Sequence, residues 1–164
     1  MSQINYYCIF CETSKELIVE KILKGLGLNV ISALVERNIF KNGEWIREFR
    51  SIIPGYVFFE SNCEPDWKKI IENTFIYYPL RYSDKSKNLK NNDLIFIKWL
   101  KGQNGSVKIS KVMEIGNKIQ ILEGPLKEFE GQIIKINKKQ KCACIKIDGD
   151  GLKTTTWLSY EIIS

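Results

Sequence analysis

Five cysteines and a doubled Asp-Gly pair are the residues in this chain whose chemistry could carry a function unaided. Cys8-x-x-Cys11 and Cys142-x-Cys144 offer four thiolates, the number a structural zinc site takes. The spacing argues against it. Cys8 and Cys11 point to opposite faces if they share a strand, whereas Cys142 and Cys144 share one face and read as small hydrophobes inside a barrel. With Cys63 the count is odd, and Met1 to Asn5 lacks the charged start of a secretory leader, so reduced thiols in the cytoplasm are expected. Asp148-Gly149-Asp150-Gly151 begins like a calcium loop. Leu152 and Lys153 then stand where a ligand and the turn glycine belong, and Ser159 replaces the closing Glu. Histidine is absent, which removes the commonest general base and the commonest zinc ligand. No phosphate loop and no suitably paired carboxylates are present. The chain is expected not to be an enzyme and to hold no metal and no cofactor.

Charge is more informative than any catalytic motif. The net charge of +6 is concentrated in one third of the chain: residues 68–111 carry ten Lys/Arg against three acids, while residues 1–67 carry seven against nine. A polyanion contact, nucleic acid above all, accounts for that asymmetry; the competing reading is a solvated lysine-rich surface. The candidate cations are Lys68, Lys69, Arg81, Lys85, Lys87, Lys90, Lys98 and Lys101. Tyr77, Tyr78 and Tyr82 lie among them as stacking partners for bases.

These residues need elements to position them. Ile4 to Cys11 alternates Tyr6, Cys8 and Phe10 with Tyr7, Ile9 and Cys11, a strand pattern. Thr13-Ser14-Lys15-Glu16 has the spacing of a capping box, which predicts a helix with Ile18, Ile22 and Leu26 on its stripe, Val19 and Leu23 beside it, and Gly25 and Gly27 at its end. An extended run from Asn29 to Phe40 meets Asn42-Gly43, a strong hairpin signal, and returns through Arg50. The chain resumes after Pro54 as Tyr56 to Phe59. Pro65 opens a second helix, and Phe75 to Leu80 closes the set. The order β-α-β-β-α-β is the split, ferredoxin-like arrangement. Asn92 and Asp93 before an apolar run and Gly102 after it favour a short packed helix there. Gly102 to Ser106 has linker composition. Short strands then follow at residues 118–122, 131–136, 142–147, 154–158 and 161–163, five in few residues, as in a small closed barrel. No apolar run reaches the ~20 residues a membrane helix needs.

Three segments, in order and at this spacing, resemble the NusG family. Tyr6-Tyr7-Cys8-Ile9 resembles its opening strand. Pro54-Gly55-Tyr56-Val57-Phe58 resembles its Pro-Gly-Tyr signature. Gly116 to Gly131, with Ile119 to Leu126 inside it, resembles the KOW motif. Within the family, Gly124-Pro125-Leu126 and the run from Glu130 to Lys138 look closest to specialised LoaP-type antiterminators. The resemblance implies an α+β chain: a ferredoxin-like NGN domain over 1–101, a linker over 102–115, and a five-stranded SH3-like KOW β-barrel over 116–164. It also implies binding of the β′ clamp helices of RNA polymerase, suppression of pausing or termination, and, for LoaP-like members, action on particular operons.

On this reading Tyr6, Phe10, Ile53 and Tyr56 dock the clamp, because a helical partner needs a shallow apolar groove with aromatic anchors. Pro54 and Gly55 re-aim the strand to present Tyr56. In the barrel, Gly124 and Pro125 begin a turn, and Gly131 supplies a positive φ or room for a close strand. General members carry an aromatic in the loop that here reads Asp148 to Gly151, so binding of the Rho factor or ribosomal protein S10 is not expected. An RNA hairpin or non-template DNA is the expected nucleic-acid partner, and a cytoplasmic monomer with no membrane contact the expected state. The rival is an RNA-binding protein, RRM-like or translation-associated with a KOW module. Gly55 to Phe59 partly matches an RNP1 pattern, but Pro54 replaces its basic residue, Val57 its small one and Ser61 its last aromatic.

Overall fold

The computed structural model describes residues 3–163; Met1, Ser2 and Ser164, the outermost positions of the two expected domains, lie outside it. In chain order the elements are β1 (Asn5–Cys11), α1 (Glu16–Gly25), β2 (Asn29–Ile31), β3 (Leu34–Lys41), β4 (Glu44–Ser51), β5 (Tyr56–Ser61), α2 (Trp67–Ile71), β6 (Ile76–Pro79) and α3 (Asn91–Gly102). There follow β7 (Ser106–Val107), β8 (Ser110–Ile115), β9 (Lys118–Glu123), α4 (Pro125–Glu128), β10 (Ile133–Asn137), β11 (Cys142–Asp148) and β12 (Lys153–Ile162). Two compact units form. Among the described residues, the first comprises 3–33, Ile53–Gly105 and Gly149–Leu152, the second Leu34–Ile52, Ser106–Asp148 and 153–163.

The first unit is the split β-α-β arrangement. Its sheet runs β2-β5-β1-β6, with β1 antiparallel to both β5 and β6 and β2 antiparallel to β5. Alternation along β1 sorts its side chains as expected. Tyr7, Ile9 and Cys11 enter a core with Val57, Phe59, Val19, Leu23, Ile70 and Ile76, against α1 and α2. Cys8 and Phe58, paired across the strands, are buried on the opposite face, where Phe58 meets Phe96 of α3 at 6.4 Å. The apolar run around Leu94 to Ile97 is helix, as its flanking residues indicate.

Two local expectations are corrected. Thr13 does not cap α1; the helix begins at Glu16, and Lys15, at its N-cap, makes no side-chain capping bond. The Glu16 carboxylate instead accepts from the backbone N–H of Ser14 at 3.2 Å and of Gly55 at 3.1 Å. That tie turns Glu16, Val19, Glu20 and Leu23 inward, at i, i+3, i+4 and i+7, and leaves Ile18 and Leu26 exposed. The buried face is therefore centred on Val19 and Leu23, which were expected only beside the stripe.

In the second unit, β3 and β4 pair over their whole length around Asn42 and Gly43, whose φ values of 53° and 83° are those a two-residue I′ turn requires. This hairpin was expected to continue the first sheet. It forms a separate three-stranded sheet, β4-β3-β7, because only Asn29–Ile31 pairs with β5 and residues 34–35 pair with β7. Residues 102–115, expected to be linker, contain β7 and β8. β8 is a member of the five-stranded sheet β10-β11-β12-β8-β9, pairing parallel to β12 and antiparallel to β9. The two short strands expected at residues 154–158 and 161–163 are one strand, β12. The C-terminal sheet is thus a curled half-barrel, with β10 and β9 at its edges.

The glycines of the expected KOW motif play unequal parts. Gly124 has φ +103°, and a Cβ there would lie 2.7 Å from Ser110 Cα. Pro125 is buried at the start of α4, and Leu126 N–H donates to Ser110 Oγ at 2.9 Å. Gly124→Ala is expected to destabilise the protein by about 2 kcal/mol, from left-handed strain plus displacement of β8. An unchanged urea midpoint would show that the approach is not needed. For Gly131 neither expected reason holds. It lies in the single 3-10 turn Glu130–Gln132, its φ is not positive, and nothing comes within 4 Å of a Cβ placed on it.

Candidate polymerase and nucleic-acid interfaces

Of the residues proposed to dock a helical partner, Phe10 and Tyr56 come together. They pair across β1 and β5 with ring centroids 4.7 Å apart at 68°, an edge-to-face contact. Tyr78 on β6 completes the group from the other side, 4.9 Å from Phe10. The sequence placed Tyr78 among base-stacking residues; only the β1–β6 register, Phe10 opposite Tyr78, brings it here. The cluster sits at the end of the sheet face that α3 leaves open: Tyr78 is well exposed, Phe10 and Tyr56 half-buried. Burial raises the Tyr56 phenol above its ordinary pKa, with Cys8 and Tyr78 adding to the effect.

Pro54-Gly55 fixes that geometry. Gly55 has φ +86°, and a Cβ on it would press to 3.3 Å on the Cys11 carbonyl. Cys11 N–H donates to the Gly55 carbonyl at 2.9 Å, closing the sheet beside the aromatic pair. Pro54 is exposed, whereas Ile53 is buried, with only 2% of its surface accessible. Ile53 supports the turn from inside and presents no side chain to a partner. Tyr6 lies on the same face as Phe10 but two pleats away, roughly 13 Å along the strand. Its ring lies under Lys101 Nζ at 5.6 Å, and that ammonium pairs with Glu60 at 2.8 Å.

The eight candidate cations do not form one patch. Lys68 and Lys69 project from α2, on the face of the sheet where the main core lies. Lys98 and Lys101 project from α3 on the other face. Between them, at the β6 edge, Arg81 and Lys87 line a cleft of about 510 Å³ with Phe10, Trp67, Tyr77 and Tyr78. Lys87 Nζ lies 5.5 Å above the Trp67 ring. Lys85 sits in a turn with φ +71°, closed by Tyr82 N–H donating to the Ser86 carbonyl and Lys85 N–H to the Tyr82 carbonyl, each at 2.9 Å. Asp84 fastens that turn by accepting from Ser86 N–H at 3.0 Å and pairing with Lys90 at 3.0 Å. These Ser86 and Lys90 contacts hold its carboxyl well below the usual carboxylate range. The loop is thus built, and its lysines are displayed rather than loose.

One residue that sequence reasoning passed over is central to the first unit. Asp93 is fully buried. Its carboxylate accepts from Tyr82 O–H at 2.7 Å, Gly151 N–H at 2.8 Å and Leu152 N–H at 3.0 Å. Burial first, and the bond to Asp93 second, push the Tyr82 phenol well above its ordinary pKa. A Cβ on Gly149 would overlap the Asp93 carboxylate, and one on Gly151 would meet Leu80 at 2.9 Å. The glycines that mimic a calcium loop therefore admit a carboxylate. Cys8 and Cys11 lie on opposite faces of the sheet, and burial raises both thiols, Cys11 to about 11. No metal-binding cluster occurs among the described residues. Nor, among them, is any helix long and apolar enough to cross a membrane.

No family model matches the chain. A curated protein of Borreliella burgdorferi, transcription termination/antitermination protein NusG, is 26% identical over 157 residues, which span 90% of this chain and 85% of that protein. A solved structure described as domain interaction in Thermotoga maritima NusG aligns over 96% of this chain and 94% of its own, at 18% identity and a TM-score of 0.48. Along nine tenths of its length, then, the chain is similar to that Borreliella burgdorferi protein.

Proposed function

We propose that this chain is a transcription elongation and antitermination factor that docks on RNA polymerase through the first unit and acts on particular operons. The observation that carries the docking is the Phe10–Tyr56–Tyr78 cluster, three aromatics on the open end of a sheet face. Such a patch suits a helical partner bearing apolar anchors, and the clamp helices of the polymerase are that partner. Operon specificity is supported by the loop at Asp148 to Gly151. It carries no aromatic for a general partner, and its glycines are committed to Asp93. The protein works in the cytoplasm as a non-catalytic monomer. The direct experiment is capture of core polymerase by the tagged chain, followed by titration with an isolated clamp-helix fragment. If neither binds at micromolar concentration, this reading fails.

The basic stretch at residues 68–111 is the nucleic-acid surface on this reading, centred on the cleft of Arg81, Lys87 and the β6 tyrosines. Phosphate neutralisation makes log affinity fall linearly with log salt, by ~0.7–0.9 per phosphate contacted. Lys85→Ala with Lys87→Ala is expected to flatten that slope by roughly one to two units, for either an RNA hairpin or single-stranded DNA. The fold should hold, since Lys85 is exposed and the turn is closed by Asp84. Equal slopes in parent and double variant would return these lysines to ordinary surface.

A further inference from the structure

The β3–β4 hairpin carries aromatics that no core absorbs. Phe40 is 59% exposed, Trp45 41% and Phe49 57%. Register places them on one face, because Phe40 stands opposite Trp45, Asn38 opposite Arg47 and Glu36 opposite Phe49. Phe40 and Trp45 meet edge to face at 5.4 Å. Each end of the face has its own lysine: Lys141 Nζ lies 5.1 Å from the Trp45 ring and Lys108 Nζ 5.8 Å from the Phe49 ring. Among the described residues, neither lysine has a carboxylate within salt-bridge distance. Between the ends, Arg47 is held across the ribbon by Glu36 at 3.4 Å and Glu161 at 2.8 Å, with 56% of its side chain still exposed.

We infer that this face is a stacking platform for single-stranded RNA. Trp45, Arg47 and Phe49 alternate along one strand, so successive side chains stand about 6.8 Å apart. That is roughly twice the ~3.4 Å spacing of stacked bases. Rings and a planar guanidinium are the surfaces on which unpaired bases stack, with little regard to sequence. Arg47 supplies its plane while its charge is met by two carboxylates. Lys108 and Lys141 remain as the cations available to phosphates beside the rings. The two ammonium groups beside the rings, which no carboxylate meets among the described residues, match the phosphates of a single strand. RNA is the occupant rather than DNA because exposed single strands are its ordinary state, whereas DNA must first be melted. This site is separate from both surfaces proposed above, and it stands if either of them fails.

The test titrates a labelled oligouridylate of about twelve nucleotides, within the usual site size of such platforms, against the full chain. Trp45→Ala and Phe49→Ala are each expected to weaken binding about ten- to a hundredfold, with melting temperature measured beside affinity because Trp45 also meets Phe40. Trp45→Phe, which keeps a ring, should stay within about threefold of the parent. The same titrations in a Lys85→Ala/Lys87→Ala background separate this face from the other basic surface. Parental RNA affinity in both alanine variants would overturn the inference. So would an equal loss in Trp45→Phe, or equal affinity and equal losses with oligodeoxyuridylate. Loss of polymerase binding with RNA binding intact would make the face a protein contact and would also overturn it.

Discussion

Asp93→Ala should lower the stability of the first unit by about 3–5 kcal/mol, the largest effect expected of any single substitution outside the apolar core. The carboxylate accepts three hydrogen bonds in a site with no solvent access. Removing it strands the Tyr82 hydroxyl and two backbone N–H groups, and each buried polar group without a partner costs ~1–3 kcal/mol. Water entering the vacated volume offsets part of that sum. For a chain of this size the loss corresponds to a fall in melting temperature on the order of 10 °C. Asp93→Asn keeps an acceptor and should fall between the parent and the alanine variant. Gly149→Ala tests the same contact from the other side, since its Cβ would displace the carboxylate. Melting of Asp93→Ala within a degree or two of the parent would mean that these bonds are replaced by solvent at no cost.

The second large effect, if the proposed docking holds, is on polymerase affinity. Phe10→Ala and Tyr56→Ala should each cost about 2 kcal/mol in binding the clamp helices, and the pair together about 3–4 kcal/mol, less than additive if the rings support one another. In affinity this is roughly thirtyfold for each and a few hundredfold or more for both. Both residues are half-buried, and their 4.7 Å ring contact also stabilises the sheet, so thermal melting must be measured beside affinity. Conservative swaps separate the roles. Tyr56→Phe keeps the ring contact and should bind nearly as the parent does. Tyr78→Ala removes an exposed ring and should reduce binding with little change in stability. If affinity declines only in step with melting temperature across the set, the cluster is core and not a docking surface.

Much of this molecule can be read from local pattern. Alternation along residues 5–11 assigns Tyr7, Ile9 and Cys11 to one face and Tyr6, Cys8 and Phe10 to the other, and the folded chain keeps that division. Asn42-Gly43 specifies the hairpin turn because its backbone angles are accessible to few other pairs. Pro54-Gly55 marks the break before β5 for the same kind of reason. Strand-rich sequence after residue 116 likewise declares a small β unit, and Thr154 to Thr156 resists helix.

Other features depended on partners distant in sequence. A strand pattern does not name the sheet that will accept it, so the hairpin's departure into its own sheet and the membership of β8 in the half-barrel emerge only from pairing. Glu16 has the spacing of a capping residue, yet its acceptor oxygen serves Gly55, 39 positions away. Asp93 reads as a helix-start acid until residues 151 and 152 bring their N–H groups to it. The basic third of the chain is visible as composition. Its division between two faces, with a cleft at the β6 edge between them, follows from α2 and α3 packing on opposite sides of one sheet. Sequence alone thus determined which residues alternate, turn and carry charge, since those depend on neighbours a few positions away. The tertiary structure decided which of them meet, because register and long-range hydrogen bonds are settled only when separate elements compete for the same partners.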